Sequence, residues 1–173
     1  MHIQCTKSMI DYIKPNLAEL NTDNDMYAWH AHFVIRSRRN LLVLMHDLTR
    51  FTLVFYGVKK SDLKELDHMI SVAMSNSLID VGFTLEEISA YLNHQPEAMT
   101  FGKTKSRTLI ARLNKAVEMT DHVLSTDGYY EEIIEQRHAS LFNNQLLVCE
   151  DNYKVCYHPA DKFREFLDLF LEN

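Results

Sequence analysis

Glycine, proline and cysteine are scarce in this chain: 4 Gly, 3 Pro and 3 Cys in 173 residues. So few Gly and Pro leave no stretch able to serve as a flexible or Pro-rich linker. No segment is low in complexity or repeats at a fixed period, so a single domain over 1–173 is expected. The three cysteines, Cys5, Cys149 and Cys156, are odd in number and form no C-x-x-C pair. A disulfide framework and a zinc knuckle are therefore not expected, and a reducing cytoplasm is the expected compartment. No run approaches the roughly 18 apolar residues of a membrane span, and the start MHIQCTKSMIDYIK has neither the basic opening nor the apolar run of a secretory leader. Also missing are G-x-G-x-x-G, G-x-x-x-x-G-K-[ST] and G-x-S-x-G, the backbone devices of dinucleotide sites, P-loops and nucleophile elbows.

What is present is the composition of a globular domain with a sizeable core, 46% hydrophobic and 24% charged. HIQCT (2–6) reads as a short strand, followed by a polar helix-like segment that Pro15 interrupts and a turn over 21–25. From Tyr27 to Ile35 the apolar residues fall on odd positions and His30 and His32 on even ones, the period of two of a half-buried strand. LLVLM (41–45) and FTLVFY (51–56) are two further strand-like runs joined by the short turns RSRRN and HDLTR, which demand antiparallel neighbours. The pattern predicts a three-stranded meander over 27–56 whose middle strand is buried on both faces.

After Gly57 the period becomes helical. Ser61 would cap a helix that Gly82 stops, and Thr84 with Glu87 forms a capping box for a second helix over 85–93. Residues 98–103 suit a strand, and Leu109, Leu113, Val117, Thr120 and Leu124 stripe a long third helix. A fourth is read over 129–141, then a hairpin turning at Asp151 and Asn152, then a closing helix opened by Pro159. The predicted fold is α+β: an antiparallel sheet, the meander plus one or two further strands, covered on one face by four to five helices, with no βαβ alternation.

The strings IQCTK, WHAH with the following RSRRNLLVLMHD, RFTLVFYGVK and TFGKTKSRTLIARLNK stand in that order. Over about residues 3–117 they resemble a bacterial, archaeal and phage family known only as a domain of unknown function. The resemblance implies a prokaryotic or phage cytosolic protein and no mechanism. It also implies that Asn often stands where this chain has His32 and His46.

Two constellations can carry chemistry. If the RSRRN turn is centred near Arg38, His30 faces His46 across the hairpin and shares a side with His32. Three imidazoles would then converge as a ligand set for zinc or another divalent metal, with Asp47 orienting one of them. A register shift of one residue would send His46 to the other face.

The second constellation is charge. The net charge of −6 and the pI near 5.8 argue at first against anionic partners. Yet windows 36–60 and 103–115 hold eleven of the 18 basic residues against the single acid Asp47, so a +10 part faces a −16 part. Arg36, Arg38 and Arg39 at the hairpin tip, with Lys103, Lys105, Arg107 and Arg112, are the candidate anion-binding residues. They define the leading expectation, a non-enzymatic module for a phosphate-bearing ligand, a nucleotide, nucleic acid or an acidic protein surface, without cofactor and without membrane. A metal-dependent hydrolase or nuclease built on the histidines is the alternative. A third is an antitoxin-like or anti-defence protein acting through acidic C-terminal helices, where Glu131, Glu132 and Glu135 cluster.

Overall fold

The computed structural model describes residues 1–18, 26–104, 106–128 and 133–171, which leaves the turn read over 21–25 outside the described residues. Alternation over 27–36 does build a strand. β1 (His2–Cys5) and α1 (Lys7–Ile13) precede β2 (Ala28–Arg36), which continues into β3 (Arg39–His46) and β4 (Thr52–Tyr56). The last three form the predicted antiparallel meander. The rest of the sheet corrects the expectation, because β1 pairs in parallel with β2 and β5 (Thr100–Lys103) pairs in parallel with β1. The sheet is thus mixed, in the order β4-β3-β2-β1-β5. β1, α1 and β2 make one βαβ unit that periodicity did not show. The reason is local: α1 has only seven residues and its C-cap, Lys14, turns left-handed just before Pro15.

The helices that follow are α2 (Leu66–Asp80), α3 (Leu85–Asn93), α4 (Arg107–Asp127), α5 (Arg137–Gln145) and α6 (Pro159–Leu171). With α1 they make six among the described residues, more than predicted. Ser61 does not cap α2: its hydroxyl bonds Asp62, and the chain enters through a 3₁₀ turn over Asp62–Glu65. The capping box at Thr84 forms as predicted, with Glu87 N–H on the hydroxyl and the Glu87 carboxylate on Thr84 N–H.

Helices cover both faces of the sheet, which corrects the one-faced arrangement. On one side Ile3, Trp29, Ala31, Leu42, Leu44 and Phe55 pack with Ile70 and Met74 of α2, Ile88 of α3 and Phe163 of α6. On the other, Leu41, Val43, Met45, Val54 and Tyr56 pack with Leu113, Val117 and Leu124 of α4 and Ala139 of α5. This is why LLVLM is apolar at every position: β3 sits mid-layer, and each buried Leu contributes about 1.5–3 kcal/mol. Ile35, predicted as core, is 71% exposed.

The edge of β4 explains why no helix occupies 133–136. Tyr56 N–H donates to Ile134 O at 2.7 Å and Gln136 N–H to Val54 O at 2.9 Å, so this segment lies along the edge through one antiparallel β-bridge between Phe55 and Glu135. Two side chains of α5 complete the cover. Ser140 Oγ accepts from Val54 N–H, and Asn144 both accepts from Thr52 N–H at 2.6 Å and donates to Thr52 O at 3.1 Å. A strand edge left bare would expose unpaired backbone groups, and here polar residues of a helix satisfy them. The predicted fourth helix therefore begins at Arg137, and 129–132 lie outside the described residues.

β6 (Val148–Glu150) and β7 (Val155–Tyr157) form a separate hairpin that turns at Asp151 and Asn152 as expected. Its register sets Cys149 opposite Cys156 at a Cα separation of 4.1 Å, and the two sulfurs are bonded. This corrects the expectation of no disulfide. A search for C-x-x-C misses a pair seven residues apart that a four-residue turn brings face to face. Cys5 is free and buried, and burial pushes its thiol up to about 12. No helix among the described residues is long and apolar enough to cross a membrane.

Candidate anion-binding site

Register decides the fate of the histidines. Only Ser37 and Arg38 lie between the paired residues Arg36 and Arg39, and both have positive φ, 47° and 64°, the type I′ geometry of a two-residue hairpin. A turn one residue tighter than expected pairs His46 with Trp29 and His30 with Met45. His46 consequently enters the aromatic core, with its ring centroid 5.1 Å from that of Trp29, 5.6 Å from Phe163 and 5.4 Å from Phe166. Its Nε2 lies 2.9 Å from Met26 O, which can only accept, so Nε2 carries the proton and Nδ1 accepts from the Thr49 hydroxyl at 2.9 Å. Burial holds its pKa down at about 4, against smaller raising effects from Met26 O and Asp47.

His30 and His32 stay on the opposite face, each with a separate anchor. Asp47 accepts from Gln4 Nε2 at 2.6 Å and contacts fully buried His30 Nδ1 at 2.7 Å. His32 Nδ1 is 2.8 Å from Thr6 Oγ1, and burial followed by the charge of Arg36 lowers its pKa. The predicted triad of His30, His32 and His46 therefore does not converge, and Asp47 contacts His30 alone of the three through a hydrogen bond. Among the described residues no group of three or more His, Cys, Asp or Glu is placed to hold a metal ion.

The two basic windows also separate. Arg36 is held by Asp121 of α4 in a two-pronged pair, Nε to Oδ1 at 2.7 Å and Nη2 to Oδ2 at 2.5 Å. Asp121 lies about 21 Å along α4 from Arg107, at 1.5 Å per residue, so the start of α4 does not meet the hairpin tip. Lys103 and Arg107 are exposed at the end of β5 and the start of α4, and Lys105 lies outside the described residues. Arg112 points elsewhere, donating through Nη2 to Cys149 O.

Arg38 and Arg39 gain different neighbours. Gly57, at φ 79°, turns the chain after β4 back beside β3, where Gly57 N–H donates to Asn40 O at 2.8 Å and Asn40 Nδ2 to Val58 O at 2.7 Å. That staple carries Lys59 and Lys60 to the tip. The result is a cleft of about 650 Å³ lined by Arg38, Arg39, Lys59 and Lys60 with Tyr12 and Tyr56 in its wall. Arg39 lies over the Tyr56 ring at 5.9 Å. The cleft's carboxylate, Asp62, is taken by local donors: Lys59 N–H at 2.8 Å and the Ser61 hydroxyl at 3.1 Å. Sequence reading counted Lys59 and Lys60 in the basic window but placed neither at the site. The signal was Gly57, a left-handed stop directly after a strand.

A second basic group is Arg50, Arg112 and Lys115, around a cavity between α4, α5 and the disulfide hairpin.

One further observation bears on what the chain is. The model of the family described as a domain of unknown function, DUF6933, matches residues 2–162. The chain belongs to that family. No curated protein and no solved structure matches it. The match takes in both basic groups and the Gln4, His30 and Asp47 cluster, so all of them are features of a chain built on the family's pattern.

Proposed function

We propose that the protein is a non-enzymatic binding module that holds a phosphate-bearing ligand in the cleft beside the β2–β3 tip. What supports this reading is the cleft itself: four cationic side chains from two connections, and one carboxylate already spent on backbone and hydroxyl donors. A polyanion complements the positive charge gathered on this cleft, and guanidinium forks suit phosphate oxygens. The tip also holds Ser37 and Arg38 in left-handed backbone, a strained choice where Asn-Gly would serve a turn better. A reducing cytoplasm, where such ligands abound, is the compartment this reading supposes.

The hydrolase reading draws no support from the divergent imidazoles. The acidic-helix reading draws none from Glu135, which precedes α5 and turns inward, with Oε2 accepting from Asn76 at 2.8 Å. Burial raises its pKa despite that bond.

The test is binding of pyrophosphate, nucleoside triphosphates and a labelled single-stranded oligonucleotide at low and high salt, with the native chain and with Arg38→Ala/Lys60→Ala. Binding that weakens with salt and falls at least tenfold in the variant is expected. A steep salt slope seen only with the oligonucleotide would assign nucleic acid. Equal binding by both proteins, or none to any phosphate ligand, refutes the proposal.

A further inference from the structure

The cavity between α4, α5 and the β6–β7 hairpin lies apart from the tip cleft and holds about 460 Å³, within the roughly 300–1,000 Å³ of small-molecule sites. Its inner wall is apolar, formed by Met45, Ala116, Met119, Leu146 and Val148. The uncharged polar residues that line it inside the hairpin turn keep their hydrogens for the protein. The Thr52 hydroxyl donates to Arg50 O at 2.9 Å, and Asn143 Nδ2 donates to Thr120 Oγ1 at 3.0 Å and Ala139 O at 2.9 Å. Apart from Asn152 and Tyr153 on the hairpin turn, the side-chain donors left are cationic. Arg50 spends Nε and Nη2 on Glu150, at 3.0 and 2.8 Å, while its Nη1 is buried without a partner, as few buried guanidinium nitrogens are. Arg112 gives one Nη2 hydrogen to Cys149 O, and its other N–H groups bond no described residue. Lys115 at the rim is paired with exposed Glu118.

From this division into an apolar wall and cationic donors, we infer that the cavity is a binding site for a small organic carboxylate with an apolar body. The carboxylate sits on Arg112 beside the Arg50 guanidinium, and the body lies against Met45, Ala116 and Met119. The planar Arg112 fork matches the planar, two-oxygen head group, and an apolar body displaces water from a wall that offers it no hydrogen bonds. The β6–β7 hairpin, tied through Cys149 and Cys156, closes one side, with Cys149 itself in the wall.

Isothermal titration of the oxidised 173-residue chain tests this with three probes kept below their aggregation limits: octanoate, octanol with the body but no charge, and acetate with the charge but no body. Octanoate is expected to bind one to one and at least tenfold tighter than either of the others. Arg112→Met should weaken octanoate at least tenfold, Ala116→Phe should abolish binding by filling the wall, and Arg38→Ala/Lys60→Ala should leave it unchanged. Octanoate no tighter than octanol or acetate overturns the inference, as does octanoate binding that survives Arg112→Met at full strength. Arg112→Met keeps the test decisive should Ala116→Phe fail to fold. Because the tip variant is read in the same experiment, failure here is distinct from failure of the tip cleft.

Discussion

His46 supplies the sharpest quantitative expectation. It is fully buried and neutral, both ring nitrogens are committed, and its pKa stands at about 4, whereas an unfolded His titrates near 6.5. As pH falls below about 6.5 the unfolded chain takes up a proton at this site that the folded chain refuses until about 4. The stabilisation is therefore complete above pH 6.5 and is lost progressively down to pH 4. At 1.36 kcal/mol per pKa unit the loss is about 3 kcal/mol, a large share of a domain's usual 5–15 kcal/mol. The perturbation is His46→Gln, whose amide still offers a donor to Met26 O but does not titrate. Trp29, the only tryptophan, packs against His46 and reports unfolding by fluorescence. Urea midpoints from pH 7 to pH 4 should fall more steeply for the native chain than for the variant. The two unfolding free energies should converge by about 3 kcal/mol. Other titrating groups, among them His32 and Glu135, are common to both proteins and cancel in the difference. Parallel pH profiles would refute the burial argument outright.

Replacing the strained tip by Ser37→Asn/Arg38→Gly should raise stability by about 1–2 kcal/mol, measured by urea unfolding, while weakening phosphate binding; a stability loss would contradict the left-handed strain. Reducing Cys149–Cys156 releases a seven-residue separation and should lower stability by about 2 kcal/mol. Unchanged urea midpoints with and without reductant would show that the hairpin lies outside the cooperative unit. Asn144→Ala strands a donor and an acceptor of Thr52 on the β4 edge and should cost about 2–4 kcal/mol. A loss under 1 kcal/mol in thermal or urea melts would mean that water repairs that edge.

What was legible in the sequence is what neighbours along the chain decide. The two-residue period of β2, the unbroken apolar run of β3, the Thr84 capping box and Pro159 at the start of α6 all act within a few residues, and each element stands where its pattern placed it. The fold departs where a distant partner decides. β1 lies between β2 and β5 because residues nearly a hundred positions apart pair, and 133–136 stays extended because the β4 edge needs donors and acceptors more than that segment needs a helix. The hairpin register belongs to the same class. Ser-Arg is not a dipeptide that announces a type I′ turn, so the one-residue difference that buries His46 had no local signal.

Charge shows most directly how distance along the chain misleads. The two basic windows and the acidic remainder of the chain resemble two poles, yet folding sets them against each other. Arg36 meets Asp121, 85 residues on, and Arg50 meets Glu150, 100 residues on. These pairs consume part of the contrast that made anion binding attractive. The candidates worth testing are therefore Arg38, Lys59 and Lys60, which the fold gathers at the tip cleft, and Arg112 at the cavity. The first group came from charge density alone, with the wrong neighbours assigned. The second depended on a disulfide hairpin that cysteine counting had set aside, which is why Arg112 could be named from the sequence but not its partners.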